Sequence, residues 1–280
     1  MRFDASGKIS LDHIYTAPDP RTYFQVLRPL GYCVPQLAKP WFDKLIKEYR
    51  ETEQVGVPKV LDIGCSYGIN AALLKYDATM DELYTRYDGS GARTRAELLE
   101  RDREFSRSRS PAHGLRFTGL DASTEALAYA REAGFLDDTV DADLEANDPT
   151  PAQRDLLAGT DLVISTGCIG YVTERTLTRV VHAQEGRLPW MAHFVLRMFP
   201  FAPVEEALAE LGYRTTRVDE VFRQRRFAGP QEQRGVLDSL SAAGIDASGL
   251  EADGWLYAQL HLSRPQRRQT PSTPTAPPTD

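Results

Sequence analysis

The segment Val60-Leu61-Asp62-Ile63-Gly64-Cys65-Ser66-Tyr67-Gly68 decides the reading of this chain. Residues 60–63 have the length of a short buried strand, small residues follow, and residues 69–74 begin a helix. A strand that ends in such a turn before a helix brings the turn to the carboxyl edge of a sheet, where doubly wound folds hold their ligands. Gly64 and Gly68 let backbone approach a ligand with no Cβ between them, and Ser66 is the next smallest polar residue at the middle position. A dinucleotide fingerprint is spaced differently. Here an acid, Asp62, precedes the first glycine by two positions, and the third small position comes too early for GxGxxG. Asp62 opposes a pyrophosphate and suits a cationic ligand.

Outward from this turn, strands and helices alternate. Strand patterns cover residues 115–121, 139–143, 161–165, 193–199, 213–219 and 255–262, the last with a period-two alternation that predicts an antiparallel partner. Ser123 N-caps a helix over 126–133, and another helix begins near Val204 and stops at Gly212. The fold class is therefore α/β: a doubly wound, mostly parallel seven-stranded sheet with an antiparallel last strand. Residues 76–114 are too long for a βαβ loop. They carry Met80, Leu83, Tyr84 and Tyr87 at helical spacing and a Thr94 to Glu97 capping box, so they predict a helical insertion, a candidate lid beside the ligand edge. Before the sheet, Pro18 and Pro20 force an extended or turning chain, and a longer helix is expected after Pro40, with Phe42, Leu45, Ile46 and Tyr49 on one face. The expected organisation is a helical cap over 1–55, a body over 56–263 with its insertion at 76–114, and a disordered Pro/Thr/Ser tail over 264–280.

Composition narrows the partners. The 280 residues are 41% hydrophobic and 26% charged, enough apolar surface to cover a sheet on both faces, and the net charge of −7 opposes a generic nucleic-acid binder. Cys33, Cys65 and Cys168 are scattered and odd in number, with no CxxC pair, so neither a disulfide framework nor a metal site is expected. Cys65 and Cys168 read as small space-fillers, since nothing nearby supplies a base. The polar N-terminus lacks the apolar region of a signal peptide, and no run is long enough for a membrane span; a cytoplasmic protein without membrane or nucleic-acid partners is expected. A homodimer is compatible with these readings.

From about Lys59 to Leu262 the chain resembles the class I S-adenosylmethionine-dependent methyltransferases, small-molecule type, whose first motif is an acid followed by GxGxG. The resemblance implies S-adenosyl-L-methionine as cofactor, with Asp62, Gly64, Ser66 and Gly68 packing against its methionine part. Asp121, followed by Ala122 and Ser123, matches the acid that holds the ribose hydroxyls, and Asp143, with Leu144, matches the acid that reaches the adenine. The segment opening at Thr166 would line cofactor and substrate. Ser66 stands where the family has glycine.

The acceptor is less legible. The Asn/Asp-Pro-Pro-aromatic signature of base methylation does not follow the fourth strand, and no Pro-Cys nucleophile pair occurs. Arg197 interrupts an apolar fifth strand near its carboxyl end; such an arginine binds either a carboxylate ligand or an internal acid. Arg223, Arg225 and Arg226 read as a solvated basic edge after the sixth strand. His13, Tyr15 and Tyr23 lie in the cap and are candidates for positioning a substrate. The expected reaction is O-methylation of a small metabolite, a carboxylate being preferred because no base is evident. Alternatives are N- or phenolic O-methyl transfer, or an NAD(P)-dependent oxidoreductase on the same sheet.

Overall fold

The computed structural model describes residues 7–88, 91, 94–109 and 114–266. Three helices come first: α1 (Asp12–Tyr15), α2 (Arg21–Leu27) and α3 (Val34–Glu53). Then follow β1 (Lys59–Ile63), α4 (Ile69–Lys75), α5 (Met80–Arg86), α6 (Arg95–Ser108), β2 (Arg116–Asp121), α7 (Thr124–Glu132), β3 (Asp138–Asp141), α8 (Pro151–Leu157), β4 (Leu162–Thr166) and α9 (Glu174–His182). The chain continues through β5 (Trp190–Leu196), α10 (Ala202–Glu210), β6 (Tyr213–Arg226), α11 (Pro230–Ala242), a 3-10 turn at Glu251–Asp253 and β7 (Trp255–Pro265).

The strands form one seven-stranded sheet in the order β3-β2-β1-β4-β5-β7-β6. All pairings are parallel except those of β7, which runs antiparallel to β5 and β6. This is the Rossmann-like α/β architecture expected from the sequence, with β1 and β4 adjacent where the strand order reverses. Alternation along each strand builds two cores. Val60, Phe117, Ile164 and Phe194 face one layer, while Leu61, Leu120, Val163 and Val195 face α8, α9 and α10. A third, smaller cluster joins Leu196 and Leu256 to Val236 and Leu240 of α11, a helix whose Gly229-Pro230 start and Val236/Leu240 spacing was readable.

The structure departs from the sequence reading in three places. The long helix begins at Val34 and passes through Pro40 rather than starting after it. Pro40 forfeits a single backbone bond, whereas a twenty-residue helix buries Val34, Ala38, Phe42, Leu45, Ile46 and Tyr49, and that burial wins. Consequently α3 is part of the body: Phe42 meets Phe194 at 5.5 Å, Tyr49 meets Trp190 at 5.3 Å and Trp41 meets Phe222 at 5.8 Å. The fifth strand ends at Leu196, so Arg197 follows it rather than interrupting it. The sixth and seventh strands reach Arg226 and Pro265, because Arg226 pairs with Trp255 and Tyr213 with Pro265. Arg223, Arg225 and Arg226 therefore lie inside a strand; of the segment read as a tail, 267–280 is outside the described residues.

The insertion forms two helices, both opened by reciprocal capping boxes, Thr79 with Glu82 and Thr94 with Glu97. It braces the N-terminal helices and α7. Phe24 stacks on Tyr87 at 4.6 Å, and the hydroxyls of Tyr87 and Tyr129 both donate to Asp102 Oδ2, at 2.7 and 2.6 Å. Among the described residues no helix is long and apolar enough to cross a membrane, and no His/Cys/Asp/Glu cluster could hold a metal ion.

Two histidines lie buried beneath the sheet. His193 Nδ1 shares a 2.8 Å hydrogen bond with Ser165 Oγ, His261 stacks on Phe201 at 4.0 Å, and Nε2 of the first and Nδ1 of the second have no partner. Burial, together with their mutual repulsion at His193, lowers His193 to about 3; burial and Arg217 lower His261 to about 4. The fold therefore requires both rings neutral, while the unfolded chain takes up protons as pH falls through about 6.5. Their contribution to stability is full above that value and declines below it, by up to about 1.4 kcal/mol per pH unit for each ring. Urea unfolding should show the parent losing stability relative to the double variant H193F/H261F between pH 7 and pH 5; a difference that stays constant with pH refutes the assignment.

Candidate functional site

The turn after β1 is anchored to β2 by backbone and by one carboxylate. Gly64 N–H donates to Leu120 O at 2.8 Å, and Gly68 N–H closes the turn onto Cys65 O at 2.9 Å. Asp121, at the end of β2, accepts Ser66 N–H on Oδ2 at 2.8 Å and Ser123 N–H on Oδ1 at 2.9 Å. Gly64 has φ +66, and a Cβ on it would stand 2.7 Å from Cys168 Cβ, so this position accepts glycine alone. Ser66 takes φ +50, a left-handed conformation that costs a serine and that a glycine takes freely. Its hydroxyl is buried in this turn with no hydrogen-bond partner.

Beneath the turn, Asp62 is fully buried. Asn70, from the first turn of α4, donates its Nδ2 to Asp62 Oδ1 at 3.0 Å and reaches Thr166 Oγ1 at 3.2 Å. Burial pushes the Asp62 carboxyl up to about 8; Asn70 opposes the shift and the charge of Asp121 adds to it. Asp121 is raised too, by burial, against the N–H groups of Ser66, Ser123 and Ala122. Two carboxyl groups thus face a region short of positive charge.

The N-terminal segment crosses above as a strap. Ile9 N–H donates to Glu232 Oε1 at 2.9 Å, Ser123 Oγ to Tyr15 O at 2.6 Å, and Arg95 Nε to Pro18 O at 2.9 Å. Tyr67, from the turn itself, reaches Ala17 O at 2.8 Å and Ile14 O at 3.0 Å. Glu232 is held in turn by Arg225, through bonds of 2.6 and 3.0 Å between groups that are both buried. Burial alone would raise Glu232, but Arg225 and the N–H groups of Ala228 and Ile9 hold it below the usual range.

Tyr15 is 37% exposed, yet burial pushes its phenol up to about 12, with Arg225, Asp121 and Cys168 all acting on it. Cys168, partly exposed, is also pushed up to about 12 by burial and adds to the Tyr15 shift. Tyr23 packs edge-on against Tyr15, Tyr32 and Tyr67 at 5.8, 6.2 and 6.0 Å, and Tyr32 lies beside Tyr23 and Thr166 with its phenol raised by burial.

Of the residues singled out in the sequence, Asp62, Gly64, Ser66, Gly68, Asp121, Ala122, Ser123, Thr166, Tyr15 and Tyr23 converge on this edge. The others do not. Arg197 donates Nη1 to Glu251 Oε2 at 2.5 Å and Nη2 to Asp246 O at 2.7 Å, so its guanidinium is committed to an internal ion pair. His13 is exposed. Asp143 folds Oδ1 onto Glu145 and Ala146 N–H beyond the end of β3, while Asp141 ends that strand opposite Asp121. Leu144 is buried in the core under the sheet. Reading the sequence missed Asn70, Tyr32 and Gln224, and took the buried Arg225 for a solvated edge. A polar Asn70 opening an otherwise apolar helix was a usable signal; the others depend on distant pairings.

No family model matches the chain, and no curated protein does. Among solved structures, similar backbones include a 4+2 cyclase (14% identity, 80% of each chain covered, TM-score 0.39). Another is a magnesium protoporphyrin IX methyltransferase from Synechocystis with bound S-adenosylmethionine (11% identity, 81% of this chain and 79% of that one, TM-score 0.38). A third is a precorrin-6y C5,15-methyltransferase from Geobacter metallireducens (10% identity, 79% and 87% covered, TM-score 0.38).

The Asp62 shift has a sign that can be checked. Its folded carboxyl stays protonated to about pH 8 while the unfolded one ionises near 3.8, so its contribution to stability is full at low pH and is lost as pH rises through 8. Asp62→Asn cannot ionise. Its melting temperature relative to the parent should therefore climb between pH 5 and pH 8.5, and a constant offset would refute the shift.

Proposed function

We propose that this chain transfers a methyl group from S-adenosylmethionine to an oxygen of a small molecule, a carboxylate being the acceptor. The observation that carries the reading is the cradle at the carboxyl edge: a left-handed turn with an orphan Ser66 hydroxyl, joined by Asp121 to the end of β2 and underlain by the buried acid Asp62. These residues fit the cofactor. Gly64, Ser66 and Gly68 offer it backbone and a free hydroxyl, and Asp62 suits its cationic methionine part. Each Asp121 oxygen accepts one backbone N–H and keeps capacity for a ribose hydroxyl. Ala122, Ser123 and Thr166 would flank it.

Bound there, S-adenosylmethionine supplies a methyl group whose bond to the cationic sulfur breaks as the acceptor oxygen takes it, leaving a neutral thioether. The chain's own task is to align the acceptor and keep water out. The segment from Ile9 to Pro18, hung on Glu232, Ser123, Tyr67 and Arg95, would cover the acceptor. Tyr15 and Tyr32 keep their protons because burial raises them, so they serve as hydrogen-bond donors and not as bases. His13 is exposed, and His193 and His261 lie under the sheet. An acceptor that is already ionised needs no base, and phenol donors suit an anion. Tyrosine hydroxyls thus take the anchoring task that the sequence offered to Arg197.

S-Adenosylhomocysteine should raise the melting temperature and NADH should not. Asp121→Asn should weaken S-adenosylhomocysteine by about tenfold or more, the scale of a lost hydrogen bond to a charged group. With labelled S-adenosylmethionine, transfer should be found among carboxylic acids; transfer to amines or phenols alone would remove the carboxylate assignment and leave the cofactor assignment standing.

A further inference from the structure

Gln224 and Arg225 are consecutive in β6 and both buried, at 4% and 2% exposure. Regular alternation would put one of them outside. The cause is a bulge: Arg223 pairs with Tyr257 and Arg225 with Leu256, which leaves Gln224 without a partner in β7 and turns an extra side chain inward. Because β5 and β6 both run antiparallel to β7, this end of β6 lies at the same carboxyl edge as Thr166, Gly167 and Cys168. The Gln224 backbone carbonyl accepts Cys33 N–H at 2.8 Å, fixing the bulge to the segment before α3. Its side-chain amide lies over Gly167, where a Cβ would stand 2.5 Å from Nε2, so glycine there makes the room. Gln224 Oε1 is buried with no hydrogen-bond partner. A buried amide acceptor left open in this way is a cost that chains keep where a ligand completes it.

We propose that Gln224 selects the acceptor by taking a hydrogen bond from a hydroxyl that the substrate carries beside its methyl-accepting carboxylate, so that the substrate is a hydroxy acid. The inference rests on the methyl transfer proposed above and deepens it. Tyr15 and Tyr32 supply donors for the carboxylate, and Gln224 supplies an open amide acceptor. A neutral amide can bind a hydroxyl without adding a charge to a site where Arg225 and Asp121 already act on Tyr15.

The test uses the full chain, labelled S-adenosylmethionine and three matched pairs: mandelate with phenylacetate, salicylate with benzoate, and lactate with propionate. The parent should favour the hydroxy member of at least one pair by about tenfold or more in kcat/KM. Gln224→Met keeps the length of the side chain and removes the acceptor. It should bring that ratio to about one through a higher KM, leave S-adenosylhomocysteine affinity by calorimetry unchanged, and hold or raise the melting temperature, since an open buried polar group is lost. A ratio that survives the substitution overturns the inference, as does a parent that favours the plain acids or labels none of the six. A melting temperature and S-adenosylhomocysteine affinity that fall together in the variant would assign Gln224 to packing and overturn it too. Failure of the parent to bind S-adenosylhomocysteine would overturn the methyl-transfer reading itself, whereas binding without hydroxyl preference would overturn only this one.

Discussion

The Asp121 carboxylate, shared between the N–H groups of Ser66 and Ser123, is the interaction on which the rest of the site depends. It ties together the two turns that follow β1 and β2, and so fixes the starts of α4 and α7 relative to each other. Hydrogen bonds to an ionised group contribute about 1.5–3 kcal/mol each, enough to hold Ser66 in a left-handed conformation that costs of order 1–3 kcal/mol. Ser123 then does double duty. Its hydroxyl accepts Ala126 N–H as the cap of α7 and donates to Tyr15 O, so the strap hangs from the residue that Asp121 positions. Asp121 sets the turn, Ser123 follows, and the backbone of Tyr15 takes its place as a consequence.

That chain of dependence explains what was legible in the sequence. The β1 turn, Asp121 and the Thr94 to Glu97 capping box are local patterns, set by backbone geometry within a few residues, and each stands where the pattern put it. The passage of α3 through Pro40 was not legible, because it is decided by burial against Phe194 and Trp190, far along the chain. The same holds for Arg197. Its residue type allowed a ligand or an internal acid, and only the fold brings Glu251 within reach. Strand ends were misjudged where partners decide them: β6 continues to Arg226 because β7 offers a ladder that long, bulges included.

The two arginine–glutamate pairs have different consequences. Arg197 with Glu251 ties the end of β5 to the 3-10 turn and withdraws from ligand binding the guanidinium that looked best placed for it. Arg225 with Glu232 belongs to the site, since Glu232 also holds Ile9 of the strap and Arg225 acts on the Tyr15 phenol. Removing one partner from such a pair costs about 3–5 kcal/mol because the other charge is left buried and alone. The strap is therefore held at one end by a pair that resists loosening, and at the other by neutral hydrogen bonds from Tyr67 and Ser123.

Charge is divided unevenly along the carboxyl edge. Asp62 and Asp121 stand on the side of the β1 turn, both raised by burial, and a cation there would recover part of that desolvation by restoring their ionised forms. Tyr15, Tyr32 and Gln224 are neutral and hydrogen-bonding, with Arg225 neutralised by Glu232. Neutral donors bind an anion less tightly than a free guanidinium would. In the methyl transfer proposed above, an anionic oxygen would join a carbon on a cationic sulfur and charge would disappear as the bond forms. Strong pairing of such an acceptor would stabilise the start more than the transition state, so phenol and amide partners, with the arginine already engaged, would favour the rate over the grip.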